Sequence, residues 1–421
     1  MTGNSCIEFI YSNLLGRRGA VMNGKLTKGI GIKRERKDRR KETPENTKIL
    51  AVFVLGFLVL GVFAVLTYQN QQKNTMAIDD NFDDWQGVAT RSRGTPHAPI
   101  HINGNDDFAS QASANNWTGD GTQKNPYVIS GYDIDANGNS YCIWIENTSV
   151  YFIVCNSTLW NVSNNAAPAG GIALKNVENG TIENNRCTGN PYGIFLQSSS
   201  NNTIANNNIT GSNYYGILVW WLGGNNNVSN NMLLSNNVGI AIYSANNNSL
   251  WYNTCVSSTD EGIRLDNSDE NVIAYNNCSE SIRNSGLLMT SPSTNNTIMY
   301  NTFYKNKYYG INITDASSQN IIHHNSFFQN NGAGRGVNGN SQAYDSVGGN
   351  IWYDVSANEG NYWSNWDGNG NGTANAYPIA GGAGASDPYP LSNPVVPELS
   401  TLALIAMAIA MLGIVAMRKR R

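Results

Sequence analysis

Charge is scarce in this chain of 421 residues: Asp, Glu, Lys and Arg make up 14% of it, against about 25% in ordinary soluble domains. That shortage excludes a disordered chain held open by its own charge, so the abundance of Asn, Gly, Ser and Thr needs another explanation. The net charge is −3 and no basic stripe crosses the central region, which excludes nucleic acid as a partner. Histidine and cysteine are also few, with four of one and six of the other. A copper site needs imidazole or soft ligands that converge in space. The paired histidines are His323 and His324, and neighbours on a strand point to opposite faces, so the sequence predicts that they do not share a metal.

Two apolar runs frame what is present. Ile49 to Tyr68 carries no charge and has about the 20 residues that a membrane helix needs. The segment before it is dense in Lys and Arg, which by the positive-inside rule keeps residues 1–47 in the cytosol and sends the chain outward. Residues 48–68 read either as a signal anchor or as a cleaved signal peptide, and 69–95 as a stalk. The second run, Leu402 to Met417, precedes a basic Arg418-Lys-Arg-Arg421 end and follows Pro397-Glu398-Leu399. A membrane-anchored protein whose residues 70–395 face outward is the expectation, with the membrane as one partner.

Between the runs lies a repeat. Gly171-Ile-Ala-Leu174, Gly193-Ile-Phe-Leu196, Gly216-Ile-Leu-Val219, Gly239-Ile-Ala-Ile242, Gly262-Ile-Arg-Leu265, Gly286-Leu-Leu-Met289 and Gly310-Ile-Asn-Ile313 recur every 22 to 24 residues and alternate with the strand period of two. Eleven or twelve residues after each glycine comes an aliphatic residue, then Asn three later, then an apolar residue: Ile204, Asn207, Ile209, for example, or Leu250, Asn253, Cys255. Such a coil buries its apolar face only against identical neighbours above and below. Stacked at about 4.8 Å, like lies over like, and recurrent Asn side chains bond to each other up the stack while tolerating left-handed turn angles. The rung glycine is expected to supply a positive φ or a close approach. The fold class is therefore an all-β, right-handed parallel β-helix of eight or nine coils over residues 141–332, the hand following the crossover preference. A strand-rich cap is expected at 96–140 and a second cap and tail at 333–391.

Candidate sites follow from which residues point outward. Arg264 and Asp266 alternate with Ile263 and Leu265 and so share the outer face, with Glu261 nearby in a carboxylate-rich stretch from Asp260 to Glu280. Carboxylates on one face would serve glycoside cleavage as an acid/base pair, or lyase chemistry beside a basic residue; a solvated edge is the plainer reading. Phe195, Trp220 and Tyr243 are also outward and form a candidate carbohydrate-stacking strip, against the alternative of packing beneath a loop. Asp367, Asn369 and Asn371 match the first half of a calcium loop, but Pro378 stands where the closing Glu belongs. Cys187, Cys255 and Cys278 take the last apolar position of their coils and read as core, although Cys255 and Cys278 lie on adjacent coils within conceivable reach of a disulfide.

The GI-x-L and I-x-x-N coil, the segment Asn125-Pro-Tyr-Val-Ile-Ser-Gly-Tyr-Asp-Ile134 and the closing Gly360-Asn-Tyr-Trp-Ser-Asn-Trp366 and Asp387-Pro-Tyr-Pro-Leu391 resemble NosD-like right-handed β-helix proteins of archaea over residues 97–391. The resemblance implies the fold, and with it carbohydrate-binding or sugar-hydrolase repeats or a copper-related accessory role. Pro397-Glu398-Leu399, the apolar run and the basic end resemble a PEF-CTERM sorting signal, with Leu399 where Phe is usual. That resemblance implies residues 392–421 as a signal read by an archaeosortase-like enzyme. The expected function is a structural or carbohydrate-binding module of the cell envelope, with surface glycans or an S-layer as partners. A polysaccharide lyase or hydrolase is the alternative, and a copper-related accessory factor the third reading.

Overall fold

The computed structural model describes residues 94–163, 170–332, 340–366 and 375–395, all within one compact unit, Thr90–Arg421. Both apolar runs, the stalk up to residue 93, Pro397, Glu398 and Leu399 of the sorting motif, and the calcium candidates Asp367, Asn369 and Asn371 lie outside the described residues. Among the described residues no helix is long and apolar enough to cross a membrane.

The chain winds through three parallel sheets of ten, nine and eleven strands, in which a strand pairs with the one three further on, up to the last pairing of the eleven-stranded sheet, Ser326–Phe328 with Tyr362–Trp363, where the step is two. The registers place like over like. Ile172, Ile194, Ile217, Ile240, Ile263, Leu287 and Ile311 form one column of the ten-stranded sheet. Ile182, Ile204, Val228, Leu250, Ile273, Ile298 and Ile322 form a column of the nine-stranded sheet. All of these side chains are buried, and each contributes about 2 kcal/mol of apolar burial. The solenoid is right-handed.

Asparagine stabilises the corner after the nine-stranded sheet. Asn207 Nδ2 donates to Asn231 Oδ1 at 3.0 Å, Asn231 to Asn253 at 2.9 Å, Asn253 to Asn276 at 3.0 Å and Asn276 to Asn301 at 3.0 Å. The ladder runs on through Asn325 to Asn361. Each Oδ1 also accepts the backbone N–H of the ladder Asn on the preceding coil, as Asn253 Oδ1 does from Asn231 at 3.0 Å. Buried amides so fully bonded cost little to desolvate. A second column, Asn202, Asn226, Asn248, Asn271, Asn296 and Asn320, lines the corner before those strands.

One local expectation is corrected and one alternative is decided. The left-handed residue is not the ladder Asn but the one before it: Asn206 (φ 57), Asn230 (φ 56), Tyr252 (φ 56), Tyr275 (φ 59), Tyr300 (φ 58) and His324 (φ 55). The rung glycine serves close approach rather than positive φ, since a Cβ on Gly239 would stand 2.4 Å from the Gly262 carbonyl oxygen.

The coils also extend past both expected boundaries. Residues 96–140 already supply strands to all three sheets, with Ile100–Asn103 pairing Tyr141–Thr148 and Tyr127–Ser130 pairing Phe152–Cys155. Helix α1, Asn105–Asn115, interrupts this first coil and buries Phe108 and Ala112, with Phe108 stacked on Tyr127 at 5.0 Å. At the far end Ala343–Asp345 and Tyr362–Trp363 join their sheets, and Trp363 lies between Phe327 at 4.1 Å and Tyr377 at 4.0 Å. The five described cysteines are free thiols. Cys255 and Cys278 are register partners and their buried thiols meet, but both are free, so the conceivable disulfide is not formed.

Candidate functional site

The outer face of the ten-stranded sheet carries three parallel columns. One reads Trp144, Ala173, Phe195, Leu218, Ala241, Arg264 and Leu288. Its neighbour reads Glu146, Lys175, Gln197, Trp220, Tyr243, Asp266 and Thr290. On the other side Tyr192 pairs with Tyr215 and Tyr215 with Val238. Because alternate residues face out, these side chains meet on the surface and make a second apolar cluster separate from the interior.

Phe195 does face outward, but it is 3% exposed, lying 5.3 Å from the Tyr192 ring and 6.0 Å from the Trp220 ring. Its role as a stacking face is corrected: it is the floor on which the flanking rings rest. Trp220 and Tyr243 are half-buried. Trp221 and Leu222, which the alternation rule passes over because they lie just past the strand end, are 55% and 76% exposed. Both hold left-handed angles, φ 57 and φ 59, a conformation that costs a bulky residue about 1–2 kcal/mol. Tyr214 is also exposed and lies 5.5 Å from Tyr192. The doublets Tyr214-Tyr215 and Trp220-Trp221 are the sequence signal that would have found them.

The strip ends in charge. Arg264 donates to Asp266 Oδ2 at 3.0 Å and its guanidinium lies 5.4 Å from the Tyr243 ring centroid. Glu261 is 1% exposed and accepts from Asn284 at 2.6 Å. Burial, opposed by Arg264 and reinforced by Asp260, pushes its carboxyl up to about 6. Glu261 Oε2 and Arg264 Nε are buried without a hydrogen-bond partner. Burial and the Tyr215 hydroxyl hold the Tyr243 phenol well above its ordinary range. The rest of the acidic stretch is not part of this group: Asp269 Oδ1 accepts from Thr294 N at 2.7 Å and Thr294 Oγ1 at 2.8 Å, bonds that fix a corner.

A second feature went unread in the sequence. The left-handed corner residues of successive coils stack, Tyr252 on Tyr275 at 4.8 Å, Tyr275 on Tyr300 at 4.9 Å and Tyr300 on His324 at 5.0 Å. Stacking worth about 0.5–1.5 kcal/mol per pair offsets the left-handed strain. His323 ends its strand and His324 has φ 55, so the alternation stops there and both rings turn to the same side. Their Nδ1 atoms are 2.6 Å apart, and the prediction that they diverge is overturned. Asp354 completes a group of three whose donor atoms all lie within 4.8 Å. Burial, then the neighbouring His324, holds the His323 imidazole below its ordinary range, against the pull of Asp354.

Residues 213–368 match the family described as periplasmic copper-binding protein (NosD), and residues 116–278 match the family described as right handed beta helix region. A sequence comparison with curated proteins finds no match. Among solved structures the chain is similar to the A-module of the Azotobacter vinelandii mannuronan C-5 epimerase AlgE4, at 15% identity over 48% of this chain and 59% of that one, with a TM-score of 0.42. It is similar to the Dettilon tailspike protein at 12% identity, 55% and 61% coverage and a TM-score of 0.39. It is also similar to PfbA, a surface adhesin of Streptococcus pneumoniae, at 12% identity, 48% and 73% coverage and a TM-score of 0.39. The chain thus spans about three-fifths of the length of the first two structures, and likeness at this level bears on neither activity nor ligand. Its described residues form a right-handed parallel β-helix with a NosD-like segment.

Proposed function

We propose that the protein is a membrane-anchored surface module that binds polysaccharide along the outer face of its ten-stranded sheet, without cleaving it. The observation that carries this reading is the exposed pair Trp221 and Leu222, held in left-handed angles beside the half-buried Tyr215, Trp220 and Tyr243. The neighbouring coils fill the same left-handed corner with small polar residues, Ser198, Ser244, Asn267 and Ser291, so bulky apolar side chains left exposed there point to a ligand. A sugar ring lays its C–H face on an aromatic plane and turns its hydroxyls to flanking polar groups. Such groups stand in the same column, Lys175 and Gln197 on one side of Trp220 and Tyr243, Asp266 and Thr290 on the other.

The environment of Glu261 weighs against catalysis. Its raised carboxyl favours the second reading, a lyase or hydrolase with Glu261 as proton donor, but a carboxyl 1% exposed does not reach a glycosidic oxygen. Anchorage and outward orientation are supported by the two uncharged apolar runs and their basic flanks. Pro397-Glu398-Leu399 before the second run supports processing by an archaeosortase-like enzyme at an archaeal surface, with envelope glycans or an S-layer as the bound material. Calcium at Asp367, Asn369 and Asn371 belongs to the same expectation and rests on the sequence alone.

The test uses the full-length chain in detergent on a glycan array. Binding is expected, and Trp220→Ala with Tyr243→Ala should weaken it by roughly tenfold or more. Retention of full binding by that double variant would sink the assignment of the face. Polysaccharide cleavage abolished by Asp266→Ala would instead establish the second reading.

A further inference from the structure

We propose that His323, His324 and Asp354 bind one divalent transition-metal ion of the zinc or copper class at the corner of the last coils. The site lies on a different corner from the aromatic strip and owes nothing to the glycan reading. Three donor atoms of suitable type already lie within 4.8 Å of one another, and the two imidazole rings meet at 79°, bringing their Nδ1 atoms to 2.6 Å. Bonds of 2.0–2.1 Å to one ion put tetrahedral neighbours about 3.3 Å apart. A small rotation of the half-buried His323 ring makes that room.

The surroundings hold the ligands as a metal site requires. His324 Nε2 lies 2.7 Å from Glu359 Oε2, which assigns the proton to Nε2 and leaves the Nδ1 lone pair aimed at the site. The ring is braced by its stack on Tyr300 at 5.0 Å and by its backbone N–H on the Gly360 carbonyl. Asp354 is presented by a tight loop in which its N–H donates to the Glu359 carbonyl at 2.7 Å. Its Oδ1 accepts from Ser356 N at 2.8 Å and Ser356 Oγ at 2.7 Å, so the carboxylate is oriented before any ion arrives. The loop therefore delivers both the third ligand and the carboxylate that orients His324.

The donor set selects the ion. Two imidazole nitrogens and one carboxylate suit zinc, copper or nickel, whereas calcium and magnesium take oxygen ligands throughout. On binding, the proton that His323 Nδ1 shares with His324 Nδ1 relocates to His323 Nε2, and the ion takes its place between the rings. Three protein ligands leave a position for water, the mark of a binding or transfer site rather than of a closed structural one.

The test is calorimetric titration of the full-length protein, freed of metal by chelation, with Zn²⁺ alone, and Cu²⁺ followed by electron paramagnetic resonance. One Zn²⁺ per chain is expected, with no competition from Ca²⁺, and two nitrogen couplings in the Cu²⁺ spectrum. His323→Ala should weaken Zn²⁺ by roughly 100-fold or more and remove one nitrogen coupling; Glu359→Gln should weaken it by about 10- to 100-fold while keeping both couplings. Asp354→Asn, at a half-exposed loop position, is the control should His323→Ala misfold. Zn²⁺ affinity unchanged in both His323→Ala and Asp354→Asn, or no Zn²⁺ binding by the unaltered chain, overturns the proposal.

Discussion

Two adjacent residues of each coil obey different rules. Asn207, Asn231, Asn253, Asn276, Asn301 and Asn325 repeat one residue type up the inner column and are buried. The residue just before each changes from Asn206 and Asn230 to Tyr252, Tyr275, Tyr300 and His324, and Tyr252 is 49% exposed. A buried amide has to match the coil above and the coil below in every donor and acceptor. The outer position has to satisfy one dihedral, and anything that manages a positive φ will serve. Uniformity therefore marks where the fold is decided, and variety marks where the surface is free to take on chemistry.

The comparison breaks most visibly on the inside. Asn253→Ala removes bonds to Asn231, Val228 and Asn276 and strands buried groups on both neighbouring coils. A loss of about 4 kcal/mol is expected in urea unfolding of the full chain. The same change at exposed Asn208 should cost less than about 0.5 kcal/mol; equal losses would erase the distinction. Next in size is Gly239→Ala, whose Cβ meets the Gly262 carbonyl oxygen at 2.4 Å, for about 2–3 kcal/mol. Gly211→Asn, at a left-handed position with nothing within 4 Å, should be tolerated.

A third measurement reads the charged end of the outer strip. The Glu261 carboxyl rises from 4.5 in the unfolded chain to about 6 in the fold, so the folded state holds the proton more tightly. Stability from this group is full below about pH 4.5 and falls as pH rises through 6, by about 2 kcal/mol in all. Unfolding midpoints followed across that window should lose this slope in Glu261→Gln. The smallest effect is the sharpest test of the outer column. Tyr275→Asn gives up rings at 4.8 and 4.9 Å but relieves φ 59. The two terms of about 1 kcal/mol oppose each other, so the thermal midpoint should hardly move, whereas Tyr275→Val loses on both counts.

Much of this was legible in the sequence because a parallel coil writes its geometry as a period. The columns Ile204 to Ile322 and Asn207 to Asn325 follow from spacing alone, since buried positions repeat their chemistry. The coils beyond residues 141–332 were hidden because the helix Asn105–Asn115 and, at the far end, the turn Asn330–Gly332 interrupt that period. The site was read only in part. Strand alternation placed Trp220, Tyr243, Arg264 and Asp266 together on one face, but it was carried one residue too far at His324 and stopped too early at Trp221. In both places the chain turns through a left-handed residue, and the side chain's direction is then set by that one dihedral. Phe195 was placed on the correct face, but its burial depends on the rings of Tyr192 on its own coil and Trp220 on the next, which no local pattern reports.

Locked registers also make the length of this molecule quantised. Gly216 and Gly239 are 23 residues apart, and duplication or loss of such a block adds or removes one whole rung of about 4.8 Å while every column closes again. A single inserted residue inside a strand instead turns the interior outward, and only the corners have room to expel it. The surface is thereby graduated like a ruler, with Trp220, Tyr243 and Asp266 on consecutive marks. Copying one coil between Tyr243 and Asp266 would slide the ionic end away from the rings by one graduation and leave all else in place.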